Sequence, residues 1–363
     1  MTWFSFGSYS RLTSIDQSLH RTVGSGTILL SVVGRSVPGF EDGDTMVKIG
    51  HKLVSELHGP HDLVEYAQLT ETSELAFANV SDHYHPWIPE QGESPMVWNV
   101  LGAIGQATDD LEVWTGVTCP TMRIHPAVIA QAAATAATML EGRFTFGVGT
   151  GENLSEHILG EGWPEHQIRL EMLKEALWII RALWRGETVS HRGNHYTVEN
   201  ARLYTLPDEP PEIGVAADGP KTARKAGEIG DGLITVVPDE GLVSEFESTA
   251  DDGAPVYGEA TVCYAEDEDE AIDTVYELWP QEVLPSSLLW DLPTPAHFAQ
   301  AVESVSREDV AEEVPCGPDP DEHIEAIQEY VDAGFDMVAI HQVGDRQAEF
   351  LEFYEEEVLP SFG

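Results

Sequence analysis

Ser81-Asp82-His83-Tyr84-His85-Pro86-Trp87 places an Asp, an H-x-H pair and a Trp directly behind an apolar run. Residues of these types hold a metal, run acid–base chemistry beside an organic cofactor, or merely decorate a polar loop. A metal-dependent hydrolase would need further His, Asp or carboxylated Lys ligands from neighbouring strand ends. The neighbouring candidates, Gly149-Thr150-Gly151-Glu152-Asn153 and Ala217-Asp218-Gly219-Pro220-Lys221-Thr222, add one Glu, one Asp and no His. Asp82, His83 and His85 cannot close a catalytic coordination shell alone, so no metal ligands are assigned and the metal hydrolase stays as the reading from another class.

Gly147-Val148-Gly149-Thr150-Gly151 lacks the G-x-G-x-x-G spacing of a dinucleotide turn. Its glycines instead let a flat ring lie against the end of a strand. Gly219-Pro220-Lys221-Thr222 opens a helix, and a helix N-terminus beside a lysine is a natural phosphate site. One flat ring and one phosphate tail have the shape of a flavin-like cofactor.

Eight β-rich runs carry these segments: 47–53, 75–81, 111–118, 144–151, 212–217, 232–237, 256–265 and 337–343. Longer helical stretches separate them. In 165–187, Ile168, Met172, Leu173, Leu177, Ile180 and Trp184 recur at helical spacing and read as a core-facing stripe. In 126–142 an Ala-rich helix starts at Pro126 and ends at Gly142. Strand–helix alternation of this kind predicts a (β/α)8 barrel, with a doubly wound open sheet as the alternative. Two insertions exceed the repeat: a hairpin and Pro-rich loop at 191–212, before the fifth barrel strand, and a multi-helix segment at 266–322, before the eighth. The domain is expected to be 46–363. Residues 1–40 hold a single acidic residue, Asp16, and 1–45 reads as a poorly ordered extension.

Across 363 residues, 64 Asp and Glu face 18 Lys and Arg, a net charge of −46, on a hydrophobic content of 42% that supports a full core. A dispersed acidic surface on such a core suits concentrated salt, where self-repulsion is screened, and predicts a haloarchaeal-type cytoplasmic protein. No basic footprint for nucleic acid is visible, and no apolar run reaches the ~18 residues a membrane span needs. Cys119, Cys263 and Cys316 have no C-x-x-C spacing and read as reduced thiols.

Four motifs in order, SDHYHPW (81–87), TGVTCPTMRIHPAVIAQAAAT (115–135), GRFTFGVGTGENLSEH (142–157) and GPKTARKAGEIGDGLI (219–234), resemble the bacterial-luciferase-like superfamily, and within it the F420-dependent dehydrogenase branch. The resemblance spans about 46–363. It implies a (β/α)8 barrel, a homodimer, and coenzyme F420, a deazaflavin that carries hydride, with FMN monooxygenases as the neighbouring alternative. It implies that Asp82 contacts cofactor, His83 acts at the substrate carbinol, Trp87 walls the site and Glu152 stands near the ring. Thr150 and Gly151 would lie against the ring, and Asp218, Gly219, Lys221 and Thr222 would hold the tail phosphate. Gly116 and Val117 match a non-prolyl cis peptide beside the cofactor. Cys119 and Ser155 occupy cofactor-binding positions where the family has Thr and Asn. His85 receives no role.

Oxidation of an alcohol needs a base for the hydroxyl proton, a task suited to an imidazole of near-neutral pKa at His83. A carboxyl kept neutral by an apolar pocket could supply a proton near the ring, the role expected of Glu152. The substrate is expected to be a small alcohol, sugar or carbonyl compound. Glucose 6-phosphate is not expected. Enzymes of the family that take it grip the phosphate with Lys, His, Arg and Thr, where this chain has Val236-Val237-Pro238-Asp239 and a late insertion lacking the matching cations. Leu288, Leu289 and Trp290 suggest a less polar ligand.

Overall fold

A computed structural model describes residues 47–363; the expectation for residues 1–45 lies outside them. Eight parallel strands close into a barrel: β1 (Lys48–Leu53), β2 (Phe77–Val80), β3 (Glu112–Thr115), β4 (Phe144–Val148), β7 (Ile213–Ala216), β8 (Gly232–Thr235), β9 (Val256–Val262) and β10 (Met337–Gln342). Pairing of β1 with β2 (His51 opposite Ala78) and with β10 (Lys48 opposite Met337) completes the ring. Each of the eight predicted runs contains one of these strands, with one to four residues trimmed from its ends. The barrel replaces the open-sheet alternative.

Inside the barrel, Phe77, Trp114, Ile234, Tyr257 and Ala339 pack together. Gly50 makes room for them: a Cβ there would come within 2.4 Å of the Phe77 ring. Between strands run α1 (Pro60–Thr72), α2 (Val97–Ala107), α3 (Pro126–Leu140), the short α4 (Asn153–Glu156), α5 (His166–Trp184), α6 (Pro220–Ile229) and α7 (Glu240–Glu247). α3 begins as predicted, with Pro126 in its first turn and His125 Nδ1 accepting from the Ala127 N–H.

α5 corrects one expectation. Ile168 is 42% exposed, and the buried face runs through Arg169, Leu170, Leu173, Ala176, Leu177 and Ile180. Arg169 takes the inward position in the first turn. Its guanidinium donates to the Pro164 carbonyl at 2.7 Å and lies over the Trp163 ring, so Ile168 is rotated outward by one residue step.

The first insertion is an antiparallel hairpin, β5 (Val189–Arg192) with β6 (Thr197–Ala201). Glu175 of α5 anchors it by accepting from the backbone N–H groups of Asn194, His195 and Tyr196. The second insertion contains α8 (Glu268–Leu278), a short turn at Pro280–Val283, α9 (Ser286–Asp291), α10 (Pro295–Ala301) and α11 (Arg307–Glu313). α12 (Pro320–Asp332) leads into β10, and α13 (Gln347–Phe353) follows it. No helix among the described residues is long and apolar enough to cross a membrane. The three cysteines are buried and free.

Candidate active site

A cavity of about 290 Å³ is lined by the segments that follow the C-terminal ends of the barrel strands, where barrels place their chemistry. His83, behind β2, is 8% exposed. Its Nδ1 lies 3.0 Å from Oε1 of Glu56, a close ionic contact without the alignment of a hydrogen bond, and its Nε2 lies 3.6 Å from Oε2 of Glu152. Trp87 stands edge-on to the imidazole with ring centres 4.9 Å apart, and is itself backed by Phe298.

Glu56 comes from the segment just after β1 and is 2% exposed. Its Oε2 accepts from the Ser81 hydroxyl at 2.6 Å, and Ser81 in turn accepts from the Ser55 N–H. Burial alone would raise this carboxyl, but His83, Ser81 and Lys52 together hold it well below the usual carboxylate range. Burial would likewise lower His83, yet the carboxylates of Glu56 and Glu152 outweigh it and hold the imidazole at about 9. This corrects the near-neutral imidazole expected from the sequence: in the free protein His83 carries a proton at neutral pH. The reason is Glu56, whose place at the end of the first strand was the available signal.

Glu152 departs from expectation as well. Its side chain is 26% exposed and faces His83, so it is not the desolvated carboxyl that the chemistry suggested. Carboxyls with that character sit elsewhere. Glu156 is pushed up to about 7 by burial despite Arg123 beside it, and Glu282 to about 7 by burial despite a hydrogen bond from Trp279.

Thr150, Gly151, Gly116, Val117, Asp218 and Thr222 line the cavity, as do Gly149, Ala216 and Ala217. The Gly116–Val117 peptide is cis, and the Gly116 carbonyl accepts from Lys52 Nζ at 2.9 Å. Gly151 has φ +81°, and a Cβ there would meet Cys119 Sγ at 2.6 Å. The side-chain-poor surface of glycines, Val117, Ala216 and Ala217 fits a flat ring. At one side α6 begins at Gly219 with no side-chain cap and no acidic residue in its first turn, and His166 reaches Thr222 Oγ1 at 3.3 Å. The first-turn N–H groups of Lys221 and Thr222 fit an anionic tail.

Asp82, Cys119, Ser155, Gly219 and Lys221 are not part of the cavity wall. Asp82 is buried behind it, paired with Arg123 at 2.8 Å and accepting from the Thr118 hydroxyl at 2.8 Å. Arg123 also reaches Glu156, so it ties the loop after β2 to α4. Cys119 Sγ sits 3.0 Å from the Thr121 hydroxyl, and burial raises its thiol well above the ordinary value. Ser155 Oγ accepts from the Tyr84 N–H, and Lys221 is exposed on α6. His85 binds the Leu154 carbonyl through Nδ1 and stacks on His157, so the H-x-H pair points in two directions. Among the described residues no three His, Cys, Asp or Glu side chains are arranged to hold a metal.

Sequence reasoning missed Glu56, Lys52, His166, Glu259, Gln281 and Glu282 on this wall, and Arg123 behind it. Lys52 and Glu259 pair at 2.5 Å.

The model of the luciferase-like monooxygenase family matches residues 43–337. An F420-dependent glucose-6-phosphate dehydrogenase of Microbacterium testaceum is 37% identical over 330 residues, covering 86% of this chain and 97% of the relative. One from Beutenbergia cavernae is 35% identical, covering 87% and 97%. Among solved structures, an F420-dependent secondary alcohol dehydrogenase in complex with an F420-acetone adduct superposes with a TM-score of 0.80 at 27% identity, covering 88% of this chain and 99% of the other. The coenzyme F420-dependent tetrahydromethanopterin reductase of Methanopyrus kandleri, at 21% identity and a TM-score of 0.71 with 88% and 100% covered, shares the fold. The chain therefore belongs to the luciferase-like monooxygenase family, among the relatives of the F420-dependent glucose-6-phosphate dehydrogenases.

Proposed function

We propose that this protein is an F420-dependent oxidoreductase acting on a CH–OH/carbonyl pair. The observation that carries the reading is His83, held between Glu56 and Glu152 on the wall of a cavity that also has a side-chain-poor surface of glycines, Val117, Ala216 and Ala217. F420, when bound, supplies the hydride acceptor or donor. Gly149, Thr150, Gly151 and Val117 would lie against its ring, and the start of α6 with Thr222 and His166 would hold its anionic tail.

The chain's own part is to hold and move one proton. Near neutral pH His83 Nε2 carries a proton that it can give to a carbonyl oxygen as reduction proceeds. In the oxidative direction the neutral imidazole takes the hydroxyl proton, and it becomes plentiful only as pH approaches about 9. Glu56 stabilises the charged ring, while Trp87 covers one edge.

Glucose 6-phosphate fits this cavity poorly. Glu56, Glu152, Glu259 and Glu282 line it, and its one lysine, Lys52, is already neutralised by Glu259. Among the described residues lining it, a phosphate dianion would find no guanidinium or ammonium group free of a carboxylate, and the one imidazolium, His83, is already held by Glu56 and Glu152.

The test is to load the purified protein with F420 in molar KCl and follow the visible absorbance on adding alcohols. Bleaching that requires substrate is the expected result. Tight retention of FMN instead of F420, with oxygen consumption, would overturn it.

A further inference from the structure

Part of the cavity wall has no task in proton transfer. Gln281, in the turn after α8, is 2% exposed and lines the cavity, yet both its amide nitrogen and its amide oxygen lack a partner. Buried amides are normally satisfied on both sides, so this one is waiting for a ligand that both donates and accepts. Beside it, the Glu282 carboxyl accepts from Trp279 Nε1 at 2.8 Å, with the Thr261 hydroxyl also in reach. Glu282 as a residue keeps some exposure, but its carboxyl is enclosed, and burial pushes it up to about 7. It can therefore either give or accept a hydrogen bond near neutral pH. Trp279 and Trp290 add flat apolar surface to the same wall.

Three kinds of group could face such a wall. A phosphate offers acceptors only and brings two negative charges toward Glu259 and Glu282. An ammonium offers donors only and leaves the Gln281 N–H groups unanswered. A hydroxyl donates and accepts at once, and a chain of hydroxyls on a carbon skeleton presents C–H faces to the indoles.

We propose that Gln281, Glu282 and Thr261 form a subsite for the hydroxyl groups of an uncharged polyol or sugar, packed against Trp279. The proposal rests on the oxidoreductase reading above and names the substrate class for that same cavity.

The test uses the full chain loaded with F420. Neutral hexoses and hexitols, glucose 6-phosphate, glucosamine and 2-propanol are compared by absorbance bleaching. Neutral polyols are expected to show kcat/KM about tenfold or more above the other three, the scale of one or two well-placed hydrogen bonds. Gln281→Leu is expected to raise KM for the polyol about tenfold with kcat nearly kept, and to leave KM for 2-propanol unchanged. Gln281→Asn, which retains the amide, guards against a folding artefact and should recover part of the affinity. Equal or better use of glucose 6-phosphate, glucosamine or 2-propanol overturns the proposal, as does an unchanged polyol KM in Gln281→Leu. If no alcohol bleaches the cofactor, the oxidoreductase reading falls and calorimetry decides the subsite. Polyol heat that is lost in Gln281→Leu supports it; absence of polyol heat in the wild type overturns it.

Discussion

Replacing Glu56 with Gln removes a full negative charge 3.0 Å from His83 Nδ1 while keeping the size of the side chain and its ability to accept from Ser81. A unit charge at that distance, through an effective dielectric of about 20, contributes roughly 5 kcal/mol. At ~1.4 kcal/mol per unit that is nearly four pKa units. Burial works against it and leaves the imidazole at about 9 in the wild type. Glu152 remains in the variant, but at 3.6 Å and 26% exposed it is more strongly screened. The imidazole in Glu56→Gln should therefore fall by about two units or more, to roughly 7 or below. Two measurements check it. One is an NMR titration of the His83 ring in the ligand-free protein. The other is the pH profile of kcat/KM for alcohol oxidation, whose rising limb should move down by the same amount. The same cause sets a stability window. A pKa raised from 6.5 to about 9 stabilises the fold fully below about pH 6.5, and the contribution is lost as pH rises through about 9. The wild type should lose stability across that window, and Glu56→Gln should not. A variant whose imidazole still titrates near 9 would refute the assignment of Glu56 as the group that holds the proton.

His83→Ala should lower turnover by at least ~100-fold while F420 affinity, measured by fluorescence quenching, stays nearly unchanged. Arg123→Met leaves the Asp82 and Glu156 carboxylates buried without their cation, so denaturant unfolding in molar KCl should show a loss of about 3–5 kcal/mol. With a net charge of −46, the thermal midpoint should climb steadily as KCl is raised to molar levels, and a flat response would remove the case for a high-salt cytoplasm.

The barrel was legible because its evidence is local and repeated. Runs such as 47–53 and 337–343 are strand-like by composition, and each is set off by a helix with its own start and stop residues. The hairpin at 191–212 was legible for the same reason. The cavity-lining glycines and the start of α6 could be read from residue type and order alone. The failures share a cause too. Ile168 faced outward because Arg169 found Pro164 and Trp163, a contact that helical periodicity does not encode.

At the site, residue types in their order pointed to His83, Trp87 and a glycine-rich surface at one barrel mouth, and all three line one cavity. The tertiary structure alone decided the electrical state of each group. Glu56 lies 27 residues before His83 and Arg123 lies 41 after Asp82, yet each pair is in contact. Only that packing makes His83 a held proton, turns Asp82 inward and leaves the Gln281 amide open to the cavity. Charge state depends on burial and on the distance to other charges, and both are properties of the closed barrel.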